Sequence, residues 1–365
     1  MRRLLDWTVL VPVLAIVALA LTWGSHPGAV LVGVVAVLLA GAVLAAVHHA
    51  EVVAHRVGEP FGSLVLAVAV TVIEVALIVT LMISGGPDSA TLARDTVFAA
   101  VMLTTTGIVG LSLLLGARRF GTTLFNAEGT GAALATVTTL ATLCLVLPPF
   151  TTSQPGPEFS PGQLTFAALA SLALYAMFVL TQTVRHRDFF LSVAQEGAPD
   201  SPDDSPENHA APPTTRAALT SLGVLMVALV AVVGLAKIES PAIEDGVAAA
   251  GFPPSFVGVV IAMLVLLPET LAAVRAARRG RIQVSLNLAY GSAMASIGLT
   301  IPTIALASVW LEGPLVLGLG ATQMVLLALT VVVSVLTVVP GRATRLQGGV
   351  HLILLAAFVF LAINP

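Results

Sequence analysis

Charge is the scarcest commodity in this chain. Asp, Glu, Lys and Arg make up 10% of its 365 residues, 57% are hydrophobic, and mean hydropathy is +1.01. Soluble domains carry roughly 25% charged residues, so that class is excluded and a polytopic helical membrane protein is implied. Cysteine is nearly absent. Cys144 alone, inside an apolar run, leaves no disulfide framework. No His-Glu-x-x-His occurs, which removes the usual signature of a zinc peptidase. The first apolar segment, Trp7–Trp23, resembles a signal peptide, but no small-residue cleavage site precedes a soluble domain, so it reads as a retained helix.

What is present is a series of apolar runs. Eleven spans are expected, at roughly 7–23, 28–47, 60–83, 95–115, 130–149, 162–184, 217–237, 255–275, 282–310, 314–339 and 347–363. Gly, Pro and Arg mark the joints between them, as at Gly85-Gly86-Pro87, Pro148-Pro149 and Pro340-Gly341-Arg342. With alternating sides, fourteen arginines fall on the side of the N-terminus and only Arg94 and Lys237 on the other. By the positive-inside rule the N-terminus is cytoplasmic and the C-terminus, Pro365, extracytoplasmic. The one long hydrophilic stretch, 185–216, has a Pro-, Asp- and Glu-rich centre at 195–213 and reads as a disordered cytoplasmic linker.

That linker divides the chain into a leading helix (1–27), a first five-helix unit (28–184) and a second (217–365). Five is odd, so the two units enter the membrane from opposite sides. Inverted repeats with a site at their interface are a common transporter plan. The second helix of each unit carries one buried acid. Glu74 lies 14 residues after Pro60, and Glu269 lies 14 residues after Ser255. An ionisable group that deep costs several kcal/mol and marks a functional site. At equal depth on antiparallel helices, the two acids face each other near the midplane.

Carboxylates held away from bulk water favour neutrality, and a close pair titrates jointly. Protons or a hard cation such as Ca²⁺ or Na⁺ can neutralise them. Competition between the two is the minimum machinery of an antiporter. Further oxygens stand nearby: Thr71 on the face of Glu74, the carbonyl of Leu264 freed by Pro268, and Thr106, Ser292 and Ser296 in the span after each acid. Ordinary helix–helix packing also uses such hydroxyls.

These motifs resemble the calcium/cation antiporter superfamily, whose two alpha-repeats each carry a membrane glutamate. HHAEVVAHRVGEPFGSLVLAVAVTVIEVALI (48–78), GIVGLSLLLGARRF (107–120) and LPETLAAVRA (267–276) are similar to the ChaA-type calcium/sodium–proton antiporters of bacteria. The resemblance implies a multi-pass protein of the bacterial inner membrane that is not an enzyme and needs no cofactor. Its expected partners are inorganic cations, protons and membrane lipid, with no nucleic acid. It implies export of Ca²⁺, with Na⁺ or K⁺ as further cargo, in exchange for protons by alternating access. The Gly-Asn-x-x-Glu of vacuolar calcium exchangers is missing before both glutamates, which keeps a purely monovalent Na⁺(K⁺)/H⁺ antiporter open as the alternative.

Two rival classes remain, a membrane metalloenzyme and a cation channel. His48, Glu51 and His55 could share one helical face, but at the cytoplasmic edge. Glu51 and Glu59, the latter preceding Pro60, are placed at a cytoplasmic mouth.

Overall fold

A computed structural model describes residues 6–24, 28–58, 61–85, 90–193, 213–310 and 314–365. Glu59 and most of the acidic stretch 195–213 fall outside the described residues.

The described chain is almost wholly helical. In order come α1 (Trp7–Thr22), α2 (Ala29–Val57), α3 (Phe61–Gly85) and α4 (Leu92–Met102), which runs through a π-helical turn, Leu103–Ile108, into α5 (Val109–Phe120). Strand β1 (Thr123–Leu124), α6 (Ala127–Ala141) and α7 (Pro161–Leu180) complete the first half. The second half comprises α8 (Thr215–Ala249), α9 (Phe256–Val265), α10 (Leu267–Arg278), α11 (Ile282–Ala307), α12 (Ala321–Val338), strand β2 (Arg342–Ala343) and α13 (Arg345–Ile363). Local chemistry fixes several starts. Asn126 accepts from the N–H groups of Glu128 and Gly129 to open α6, and Ser160 with Gln163 forms a capping box ahead of Pro161 in α7.

Among the described residues, eight helices are long and apolar enough to cross a membrane, or nine if the bent pair α9–α10 is one span. Trp7–Thr22 and Val68–Ile83 form shorter apolar helices. Three expected boundaries shift. Helix α2 continues to Val57 and α8 to Ala249, because charged residues at a membrane edge end the apolar run without ending the helix. The tenth span starts at Ala321, not 314: Val316 bridges to Glu158, and Leu317 and Leu319 are buried in extended chain.

Pairings sort the loops onto two ends. At one end Arg56 donates to Thr215 at 2.8 Å, β1 pairs antiparallel with β2, and the Asn126 N–H reaches Gln283 at 2.7 Å. At the other end Lys237 lies over the Trp23 ring, and the Val316 N–H donates to Ala90. The first is the arginine-rich end. Two apolar clusters build the interior. One joins α1, α2, α3, α8 and α9 around residues such as Val43, Ile73, Ala231 and Leu235. The other joins most remaining helices around Phe98, Leu140, Leu286 and Met294.

Helices α5 and α13 approach closely through glycine. A Cβ on Gly348 would lie 2.6 Å from the Leu114 nitrogen and 2.9 Å from the Gly110 carbonyl oxygen, both backbone atoms that cannot rotate away. Small residues at such crossings are how membrane helices gain van der Waals contact. Gly348→Ala is therefore expected to destabilise the protein by about 1–3 kcal/mol, read as a lowered melting temperature in detergent. Gly349→Ala meets open space and should melt like the parent.

Candidate functional site

The chain breaks where the second acid sits. Pro268 has no N–H to give to the preceding turn, and α9 and α10 bend by 55° across Leu266. Glu269 consequently falls in the first turn of α10. Free N–H groups and the positive end of the helix dipole gather there. Glu74 instead lies within the continuous helix α3 and is buried. Its Oε1 accepts a hydrogen bond from the Ser296 hydroxyl of α11.

Both glutamates line one cavity of about 270 Å³. It lies where the two apolar clusters meet. Val70 and Thr71 join Glu74 from α3, Ala262, Val265 and Leu266 join Glu269, and Asn287, Gly291, Ser292 and Ser296 come from α11. Tyr175, Phe178, Val179 and Gln182 complete the wall. No lining residue is Lys, Arg or His. Glu269 feels the charge of Glu74 and of Glu51, and its buried Oε2 has no hydrogen-bond partner. Two carboxyl groups without a fixed counter-charge demand neutralisation by protons or by cations. Oxygen is the only donor type on offer, which suits hard ions.

The cavity reaches toward the arginine-rich end. Gln182 precedes Arg185 by less than one turn, and Val284 and Asn287 follow Arg281 within two. Toward the other end α9 and α4 touch backbone to backbone: a Cβ on Gly258 would lie 2.8 Å from both the Asp95 carbonyl carbon and the Thr96 nitrogen.

The expected site residues separate into three groups. Thr71, Glu74, Glu269, Ser292 and Ser296 share the cavity. Thr106 and Leu264 do not line it. The Thr106 hydroxyl donates to the Met102 carbonyl of its own helix, and Thr104 and Thr105 likewise bond carbonyls one turn back. The Leu264 side chain packs into the cluster around α2 and α8, leaving Val265 and Leu266 at the wall. Glu51 is exposed near the end of α2, away from the cavity wall but close enough to sense Arg275. Among the described residues no three of His, Cys, Asp and Glu gather to hold a metal ion, so His48, Glu51 and His55 form no zinc centre.

Sequence reading missed Tyr175, Gln182 and Asp95. Asp95 is buried in an ion pair with Arg94 at 2.8 Å and accepts from Thr91 at 2.8 Å. A residue at the first position of an expected span looks like a solvated helix start, which hid it. Gln182 was the one amide in the last two turns of its span, and that was the available signal.

Comparison with known proteins places this architecture. The model of the family described as sodium/calcium exchanger protein matches residues 27–184 and 220–364. A candidate ionic transporter, y4hA of Sinorhizobium fredii, is 44% identical over 362 residues, covering 98% of this chain and 96% of that protein. The sodium-potassium/proton antiporter ChaA of Escherichia coli is 37% identical over 359 residues, covering 97% and 95%. The solved structure of the H⁺/Ca²⁺ exchanger CAX superposes with a TM-score of 0.71 at 16% identity, covering 97% of this chain and 86% of that one, a likeness of fold.

The geometry sets two hydroxyls apart. Ser296 donates to Glu74 across helices, whereas the Thr106 hydroxyl is consumed within its own turn. A hydrogen bond to a charged group contributes about 1.5–3 kcal/mol. Ser296→Ala is expected to weaken cation binding about tenfold or more, measured as the Ca²⁺- or Na⁺-dependent thermal shift of purified protein. Thr106→Ala should leave that dependence unchanged.

Proposed function

Since this chain belongs to the sodium/calcium exchanger protein family, and is thus a multi-span membrane antiporter of cations, we propose that it exchanges Ca²⁺, with Na⁺ and K⁺ as further cargo, for protons at Glu74 and Glu269. The observation that carries the reading is the single cavity lined by both acids and by no cationic side chain. Cation and proton then compete for one pair of carboxyl groups, and occupancy by either removes the cost of charge in the apolar interior. The names of the relatives agree: one is a sodium-potassium/proton antiporter, and the structural neighbour is an H⁺/Ca²⁺ exchanger. Purely monovalent Na⁺(K⁺)/H⁺ exchange is the second reading, favoured by the name of the 37% identical relative.

In this reading the eleven expected passes are a leading helix and two inverted five-helix units, with α1 and α3 as full spans and α9–α10 as one broken span. The family match in two segments flanking the linker supports that division. The arginine-rich end faces the cytoplasm, so the cavity opens inward. Glu269, Thr71, Ser292 and Ser296 complete the oxygen set around Glu74, and Glu51 and Glu59 collect cations at the mouth.

Everted vesicles test this directly. An imposed pH gradient should be collapsed by added Ca²⁺, Na⁺ or K⁺. Glu74→Gln and Glu269→Gln, which imitate only the protonated acid, should each insert normally and lose exchange to below about a hundredth of the parent. Collapse by Na⁺ and K⁺ but not Ca²⁺ would select the monovalent reading. Robust exchange by both glutamine variants would overturn the site.

A further inference from the structure

Asn287 lines the cavity, yet its polar atoms are engaged elsewhere. Their orientation follows from one unambiguous donor. The Asn126 N–H points at Gln283 Oε1 at 2.7 Å, so the other end of that buried amide must be its NH₂ group. Gln283 Nε2 then donates to Asn287 Oδ1 at 2.9 Å. Asn287 Nδ2 is left to donate to the carbonyl of Phe190 at 2.7 Å. Each link fixes the next, and none can flip alone.

Phe190 ends the short turn Arg187–Phe190, which follows α7 and its π-helical extension Thr181–Arg185 at the root of the linker between the halves. Three contacts dock this turn. Phe190 is buried edge-to-face against Phe178, itself a cavity wall, with ring centroids 5.6 Å apart. The Phe189 carbonyl occupies the space where a Cβ of Gly129 would be, 2.2 Å away, so only glycine fits on α6 there. Asn287 supplies the third contact, a side-chain hydrogen bond from the helix that also carries Ser296. From Asn287 to Ser296 is about two and a half helical turns.

We propose that Asn287 is a positioning residue that holds the Arg187–Phe190 turn at the arginine-rich mouth of the cavity, so that this turn controls access to the two glutamates. The inference rests on the antiporter reading for its purpose but not for its test. The turn is tied to α11 by one side chain, and α11 donates to Glu74 by another. Release of the turn frees Phe178 of its ring partner and widens the mouth, while the acids stay in place.

The test reads access, not transport. Ala295, a buried cavity-wall residue, is replaced by cysteine in a Cys144→Ala background, and the rate of modification by a membrane-impermeant maleimide is measured in everted vesicles. Asn287→Ala is expected to raise that rate about tenfold, the scale of one lost docking hydrogen bond. Asn287→Asp is the sharper variant. It keeps the acceptor for Gln283 and the shape of the side chain, and at a labelling pH raised until its carboxyl is ionised it cannot donate to the Phe190 carbonyl, so under that condition it should match the alanine variant. Modification of the aspartate variant at the parental rate would mean that Asn287 acts through Gln283 alone, and the proposal would fall. So would a parental rate in the alanine variant. Because labelling does not depend on exchange, this result stands apart from the outcome for Glu74→Gln and Glu269→Gln.

Discussion

An acid group that has left water needs something to balance it, and this fold supplies almost nothing permanent. Glu74 has one hydroxyl and Glu269 has the end of a half-helix. Everything else around them is apolar wall or uncharged oxygen. That shortage is the constraint on which the molecule is built. A fixed lysine or arginine at the same depth would satisfy the carboxylates for good, and nothing would then need to be bound. The arginines are instead gathered at one end of the helices, and the one buried ion pair, Arg94 with Asp95, lies outside the cavity at the other end among the described residues.

The acids themselves were legible in the sequence, because a charge deep inside a 20-residue apolar run has no bland local explanation. So was the break before Glu269, since proline removes a donor wherever it stands in a helix. Supporting hydroxyls were not equally legible. Ser292, Ser296 and Thr106 look alike as letters, and only the helix rotation decides which one points inward. At Thr106 the backbone opens into a π-helical turn, and each threonine of that run bonds a carbonyl one turn behind it. Nothing in Thr-Thr-Thr-Gly announces that turn. Contacts between the linker root and α6 or α11 were invisible for a further reason. They join residues 60 and 97 positions apart, through phenylalanine carbonyls that every residue type possesses.

The two apolar clusters give the cavity its place. Helices α1, α2, α3 and α8 share one interior, and α4 to α7 with α11 to α13 share the other. Each acid stands on a helix at the border, α3 on one side and the broken α9–α10 pair spanning both. A site at a border between two packed bodies can change its exposure without either body repacking, which is what alternating access requires. The close glycine crossing of α5 with α13 ties part of the second body into one unit.

The contact between Gly258 and the backbone at Asp95–Thr96 has a consequence for fidelity. Seals made of side chains can flicker, since a rotamer hop takes picoseconds to nanoseconds. Here Gly258 brings no side chain of α9 into the gap, and it meets the backbone at Asp95–Thr96 together with the Asp95 β-carbon. Such a seal opens only when whole helices move apart, on the microsecond-to-millisecond scale. In the proposed exchange, an ion at the glutamates would then have no brief, cheap escape past that end, and slippage, the loss of a cation without the return of its protons, would be held down by the absence of a single β-carbon.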